Sequence, residues 1–257
     1  MFSNQTKLYA AFIVALIVLG ALRIFSRKQI IRLTDETTLR VGTAAEFPPF
    51  EFIKDGELVG FDIDLIHAVA QKLGKKIIIK DMPFTTLIPQ AQRGSLQILA
   101  SGLTPTPERA EELLFTKPYL MSDPLMVVTL AKNPPINSID DLKGKSVIVN
   151  DGFSAERYMS EISGIDLKRL PTVADAFLSL NSGRADAFVT AANTLKPFFK
   201  QASPAHYSTF IIPNTNDQTA FAISKKYPQL LEEVQKALDA LEHDGFIETL
   251  KTKWDIA

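Results

Sequence analysis

The stretch from Val41 to Leu65 constrains the fold of this chain more than any other. A short apolar strand ending at Val41 runs into Gly42-Thr43, and Pro48-Pro49 forces Phe47 and Pro48, each preceding a proline, into extended geometry. Phe47 is thereby presented rather than packed by default. Asp55-Gly56 is a turn signal between two apolar runs, so Phe50 to Ile53 and Leu58 to Val59 are expected to pair as a hairpin. A helix follows at once: Asp62 suits its N-cap, and Ile63, Ile66, Val69, Ala70 and Leu73 form one stripe that Gly74 ends.

Strand-like and helix-like segments alternate along the rest of the chain, which argues an α/β fold. Strands are expected at Leu39–Val41, Ile77–Ile79, Leu96–Ala100, Val147–Val149, Ala187–Val189, Phe210–Ile212 and Ala220–Ile223. Ser138 with Asp141 and Thr172 with Asp175 resemble capping boxes, a carboxylate following three residues after the hydroxyl. Val173, Ala176, Phe177 and Leu180 form an apolar helix face that stops before Gly183. Leu231, Val234, Leu238 and Leu241 do the same before Gly245. No repeat of fixed period emerges, and the two halves have the look of two small α/β lobes.

A chain of 257 residues, 46% of them hydrophobic, can build one large core or two modest ones. Its net charge of -1, spread over interspersed residues, offers no basic stripe to nucleic acid and no bulk attraction to anionic lipid. There is no cysteine, which excludes disulfides, thiol nucleophiles and zinc-thiolate sites. His67, His206 and His243 are far apart and lack paired spacing, so neither a metal site nor a cofactor is expected.

Leu8 to Leu22 is an uninterrupted apolar run, the length of a signal-peptide core and short for a membrane span. Arg23, Arg27, Lys28 and Arg32 follow it while only Lys7 and the amino terminus precede it, a bias that would hold the following chain in the cytoplasm. Residues 1–32 are therefore read as a signal peptide or a signal anchor, with a small-residue cleavage site available before Ala21.

Several further motifs follow the opening stretch in order. They are Phe84-Thr-Thr-Leu-Ile-Pro89, Ser101-Gly-Leu-Thr-Pro-Thr-Pro-Glu-Arg109, the segment Ser138 to Gly152, the Gly183-Arg-Ala-Asp-Ala187 step, and a last helix with Asp244-Gly245 and Lys253-Trp254. Over roughly residues 38 to 257 the chain resembles the extracytoplasmic solute-binding proteins of the polar amino-acid uptake family, bacterial solute-binding protein family 3, which feed ATP-driven (ABC) importers. The resemblance implies a two-lobed periplasmic-binding-protein type II fold with a two-strand hinge and an interlobe ligand cleft. It implies lobe 1 over 33–124, lobe 2 over 125–217 and a return to lobe 1 over 218–257, with crossings near Ser122–Val128 and Asn216–Ala222. A periplasmic monomer that binds a small amino acid or related carboxylate and docks on a membrane permease is the expected function, with an inner-membrane anchor left open by the leader.

For the site, the resemblance implies that Arg109 grips a ligand carboxylate through two parallel guanidinium hydrogen bonds. Ser101, Gly102 and Thr104 follow an apolar strand at the end where α/β clefts collect ligands. Phe47 and Phe84 match a pair of rings that sandwich the ligand side chain. Gly152 and Ser154 are implied contacts from the second lobe, with Ser154 expected to cap the helix through Glu156 to Met159. Relatives carry carboxylates at Ala44, for the ligand side chain, and at Ala191, for the α-ammonium. Both are alanine here, so an ammonium ligand needs a displaced carboxylate, for which Glu46 and Asp151 are the candidates, or the ligand lacks an ordinary amino-acid head, or the binding function is altered or lost. The missing carboxylate at Ala44 argues against a strongly cationic ligand side chain. An enzyme is not expected. The alternatives are a cyclohexadienyl-dehydratase-like enzyme, for which no nucleophile-base pair is visible, and a membrane-tethered sensor or interaction module.

Overall fold

Strand β1 (Thr38–Thr43) is buried along nearly its whole length because it has a parallel neighbour on each side, β5 (Lys76–Asp81) and β6 (Ile98–Leu99). The structure is a computed structural model and describes Gly20, residues 37–201 and residues 204–256. The leader, and with it the choice between signal peptide and anchor, lies outside the described residues apart from Gly20. Among the described residues no helix is long and apolar enough to cross a membrane.

Between β1 and β5 the chain makes the small sheet of β2 (Glu46–Phe47), β3 (Glu51–Lys54) and β4 (Glu57–Val59). The expected hairpin is β3 with β4, closed by Asp55 and Gly56, both left-handed at φ 54° and 83°. Helix α1 (Phe61–Lys72) follows, but Asp62 does not cap it. Its first N–H groups are satisfied by backbone instead, Phe61 N donating to the Pro49 carbonyl and Asp62 N to the Phe50 carbonyl, each at 3.0 Å. The Asp62 side chain is therefore free to turn inward, where it is fully buried.

The first large sheet runs β5-β1-β6-β15-β7, with β7 (Leu113–Phe115) and β15 (Ala222–Ser224) antiparallel to their neighbours. The two-residue period of β1 sends Leu39 and Val41 to one face. There they join α1, α7 (Gln229–His243) and α8 (Phe246–Trp254) through Leu65, Val69, Val234, Leu238 and Ile247. The other face receives α2 (Phe84–Arg93), whose Leu87 and Ala91 pack with Leu96, Leu99 and Leu103.

The second large sheet runs β11-β10-β12-β9-β13, formed by β9 (Leu125–Leu130), β10 (Ser146–Asn150), β11 (Asp166–Leu170), β12 (Ala187–Ala191) and β13 (Tyr207–Ile211). Helix α4 (Ser154–Ser160) covers one face with Ala155 and Met159 against Val147, Val149 and Val189. On the other, α5 (Val173–Asn181) and α6 (Ala192–Gln201) bury Val173, Ala176, Phe177, Leu180 and Leu195 against Ile148 and Phe188. Thr172 caps α5, its hydroxyl accepting the Asp175 N–H at 2.9 Å. Ser138 and Asp141 exchange the reciprocal bonds of a capping box around a single 3-10 turn.

A separate antiparallel pair, β8 (Leu120–Asp123) with β14 (Asp217–Thr219), joins the two sheets. The chain leaves the first sheet along β8 and returns along β14 to β15, α7 and α8. Two lobes linked by two strands leave one cleft between them.

Candidate functional site

The cleft is lined from the first lobe by Phe47, Phe50, Phe84, Ser101, Gly102, Thr104 and Arg109. Phe47 ends β2 and stacks on Phe50 with ring centroids 5.3 Å apart, and Phe84 is the first residue of α2 after Pro83. Ser101 and Gly102 follow β6, but their polar groups are already engaged inside the lobe. The Ser101 hydroxyl accepts from Ala44 N and donates to Glu51 Oε1, both at 3.0 Å, and Gly102 N donates to Asp62 Oδ2 at 2.8 Å. These two residues shape the wall more than they offer free donors.

Arg109 lies on α3 (Pro107–Glu112), which Thr106 caps by accepting the Arg109 N–H. Its guanidinium donates to the Thr104 carbonyl at 2.9 Å and, across the cleft, to the Gly152 carbonyl at 2.8 Å. Further N–H donors remain in the guanidinium fork for a ligand carboxylate. Burial, aided by the charge of Arg157, lowers its pKa to about 10, so it stays cationic at neutral pH.

From the second lobe come Phe153, Ser154, Ala155, Thr190 and Ala191, and from the hinge Asp123, Asp217 and Thr219. Gly152 is not on this wall; it borders the adjoining cavity that Arg109 shares. Ser154 does not cap α4, which begins after Phe153, and its hydroxyl donates to Asp217 Oδ2 instead.

The structure moves the carboxylates. Glu46 and Asp151, the candidates from sequence, are exposed and neither lines the cleft. Ala44 is itself buried with Leu87 and Leu99, away from the cleft wall, whereas Ala191 is on it. The acids that do face the cleft are Asp123 and Asp217, paired in register across the two hinge strands. Burial pushes Asp123 up to about 6, against the Asn193 N–H that its Oδ1 accepts at 2.9 Å. Burial also raises Asp217, opposed by the Ser154 hydroxyl and the Arg109 charge. Both acids lie within the two lobe crossings expected from sequence, so one carboxylate at each crossing was the available signal.

The profile of the bacterial extracellular solute-binding proteins, family 3, matches residues 39–256. The chain belongs to that family. It is 33% identical over 220 residues to a probable histidine-binding protein of Campylobacter jejuni, covering 85% of each chain. Among solved structures it is similar to an ancestral arginine-binding protein bound to arginine, at 37% identity and TM-score 0.80 over 84% of this chain and 97% of that one. It is also similar to an ancestral amino acid-binding protein described as a precursor of cyclohexadienyl dehydratase, at 33% identity and TM-score 0.79 over 88% and 99%. The fold is the two-lobed type II arrangement of these binding proteins.

In this family 3 protein the lobes touch across the cleft. Besides the Arg109 bond to Gly152 and the Ser154 bond to Asp217, Arg157 pairs with Glu108, and the Phe153 ring meets Phe47 at 4.9 Å and Phe84 at 4.6 Å. The molecule is thus closed. Among the described residues no group of three or more His, Cys, Asp or Glu is placed to hold a metal ion.

Proposed function

We propose that this chain is the substrate-binding component of an ABC importer that takes a small amino acid or related carboxylate into the interlobe cleft. The observation that carries the reading is the convergence of one buried guanidinium, Arg109, with two hinge carboxylates, Asp123 and Asp217, in a cleft that both lobes wall. A cation and an anion held apart in a partly desolvated cleft complement a zwitterion, and a ligand that touches both lobes favours the closed arrangement. The similar proteins named for histidine and arginine support an amino acid as the ligand class.

The lobes are taken as 33–124 with 218–257, and 125–217. The protein works as a periplasmic monomer that docks on a membrane permease, its leader cleaved or kept as an inner-membrane anchor. Isothermal titration against a panel of amino acids and organic acids tests the binding. Arg109→Ala is expected to weaken any binding at least about a hundredfold, since it removes a charge-assisted bidentate contact, and unchanged affinity would refute the site. Mass-spectrometric mapping of the mature N-terminus tests the leader.

An enzyme remains the second reading because of the similarity to the dehydratase precursor and because Asp123, near 6, is a positioned acid in the cleft. Product formation from prephenate or arogenate would establish it in place of transport.

A further inference from the structure

We propose that Phe153 sets the size of ligand this cleft accepts, and that the ligand is a compact zwitterion whose side chain is no larger than a few heavy atoms. The proposal rests on the binding function above and narrows it. Phe153 immediately precedes α4 in extended conformation, φ -82° and ψ 164°, which carries its side chain out of the second lobe toward the first. Its ring stands edge-on to Phe47, with centroids 4.9 Å apart and planes at 89°, and tilted against Phe84 at 4.6 Å. It therefore occupies the space between the two aromatic walls of the opposite lobe, where an extended ligand side chain would otherwise lie.

The Phe47 wall has no room to retreat. Phe47 is backed by the fully buried Phe50, and a Cβ added at Gly102 would meet the Phe47 ring at 2.7 Å. Phe84 lies under the Arg109 guanidinium at 5.6 Å, and a Cβ added at Gly152 would meet its ring at 3.2 Å. With the three rings in place the space left beside them is about 20 Å³, and a second cavity of about 150 Å³ adjoins it past Arg109, Phe153 and Ser154. Arg109, Asp123 and Asp217 line the space beside the rings, so a ligand's charged head belongs there and the lobes part only as far as its side chain demands. A long side chain has to expel Phe153 and forfeit both ring pairs, whereas a short one does not.

The test is titration of glycine, alanine, serine, histidine, arginine and phenylalanine into the wild-type protein and into Phe153→Ala. In the wild type the three small amino acids are expected to bind at least about tenfold tighter than the three large ones. In Phe153→Ala the ratio of large-ligand to small-ligand Kd should fall by at least about tenfold. Large ligands binding the wild type as tightly as small ones, with the ratio unmoved in the variant, would overturn the size assignment while leaving the binding function standing. Binding of no ligand by either protein would overturn both. Should Phe153→Ala fail to fold by circular dichroism, Phe153→Leu is read in its place, with an intermediate ratio expected and an unchanged ratio counting against the proposal.

Discussion

At the residue scale, four buried or half-buried carboxylic acids with no cationic side chain in contact among the described residues define this protein's chemistry. Glu51 and Asp62 lie behind the Ser101-Gly102 wall and Asp123 and Asp217 line the cleft itself. Burial raises Asp62 from 3.8 to about 6, opposed by the Gly102 N–H and the Tyr119 hydroxyl that it accepts. Burial raises Glu51 well above its ordinary value too, with the Asp62 charge adding to it. An acid whose folded pKa lies above its unfolded one binds more protons when folded. Its contribution is thus present below the unfolded pKa and lost as pH rises through the folded one. Asp62 alone should cost on the order of 3 kcal/mol of stability between pH 4 and pH 7. Urea unfolding as a function of pH should show this decline, and Asp62→Asn should flatten it.

Asp123 makes a different prediction, for affinity. Only its carboxylate form can face an ammonium, so binding of an amino acid should weaken as pH falls below about 6. Titrations at pH 5 and pH 7.5 check this, and Asp123→Asn should bind weakly at both. Glu51 and Asp62 carried no signal of this role in the sequence, and Asp123 and Asp217 only their places in the two expected crossings. Asp62 has the spacing of a helix cap, and the acids absent at Ala44 and Ala191 directed attention to neighbours in the chain. The carboxylates that line the cleft come from the hinge, whose strands meet in space only.

At the element scale, the hairpin and the start of α1 hang on one glycine. Gly60, at φ 139°, lets the chain double back so closely that an added Cβ would fall on the Phe50 carbonyl. That reversal places the first N–H groups of α1 on the Pro49 and Phe50 carbonyls and swings Asp62 under Gly102. Gly60→Ala should therefore cost roughly 3 kcal/mol or more, read from urea unfolding. Elements with a strong apolar period were legible in the sequence: β1, β5, β10, β12, α1, α5 and α7 all appear where expected. Leu96–Ala100 shortens to Ile98–Leu99, although Gln97 N and Ala100 N still donate to the Arg40 and Gly42 carbonyls of β1. Strand β11, Asp-Leu-Lys-Arg-Leu, gave no signal because this edge strand offers only one half-buried leucine to each helical layer, Leu167 and Leu170. The hinge segments were placed only through the family resemblance, and their pairing gave no local signal because it joins two segments far apart in the chain.

At the scale of the whole molecule, closure depends on contacts that cross the cleft. The Arg157–Glu108 pair is too exposed to hold the lobes, with side chains 50% and 70% accessible. Arg109 to Gly152 and the three-ring contact are more protected and carry most of the closed geometry. In solution, adding a bound ligand should lower the radius of gyration measured by small-angle scattering as the closed arrangement becomes dominant. Arg109→Ala should abolish that response.

The sequence by itself determined the alternation of strands and helices, the two lobes with their two crossings, and the residues Phe47, Phe84, Thr104, Arg109 and Ser154 that meet on one cleft. Each of these follows from local period, punctuation, or an ordered set of motifs resembling a family. Only the tertiary structure decided that the cleft's carboxylates are Asp123 and Asp217, that Ser101 and Gly102 spend their polar groups on buried acids, and that Phe153 fills the space between two aromatic walls. The physical reason is the same in all three cases. Charge partners, buried hydrogen bonds and ring contacts depend on distance in space, and each joins segments that are far apart along the chain.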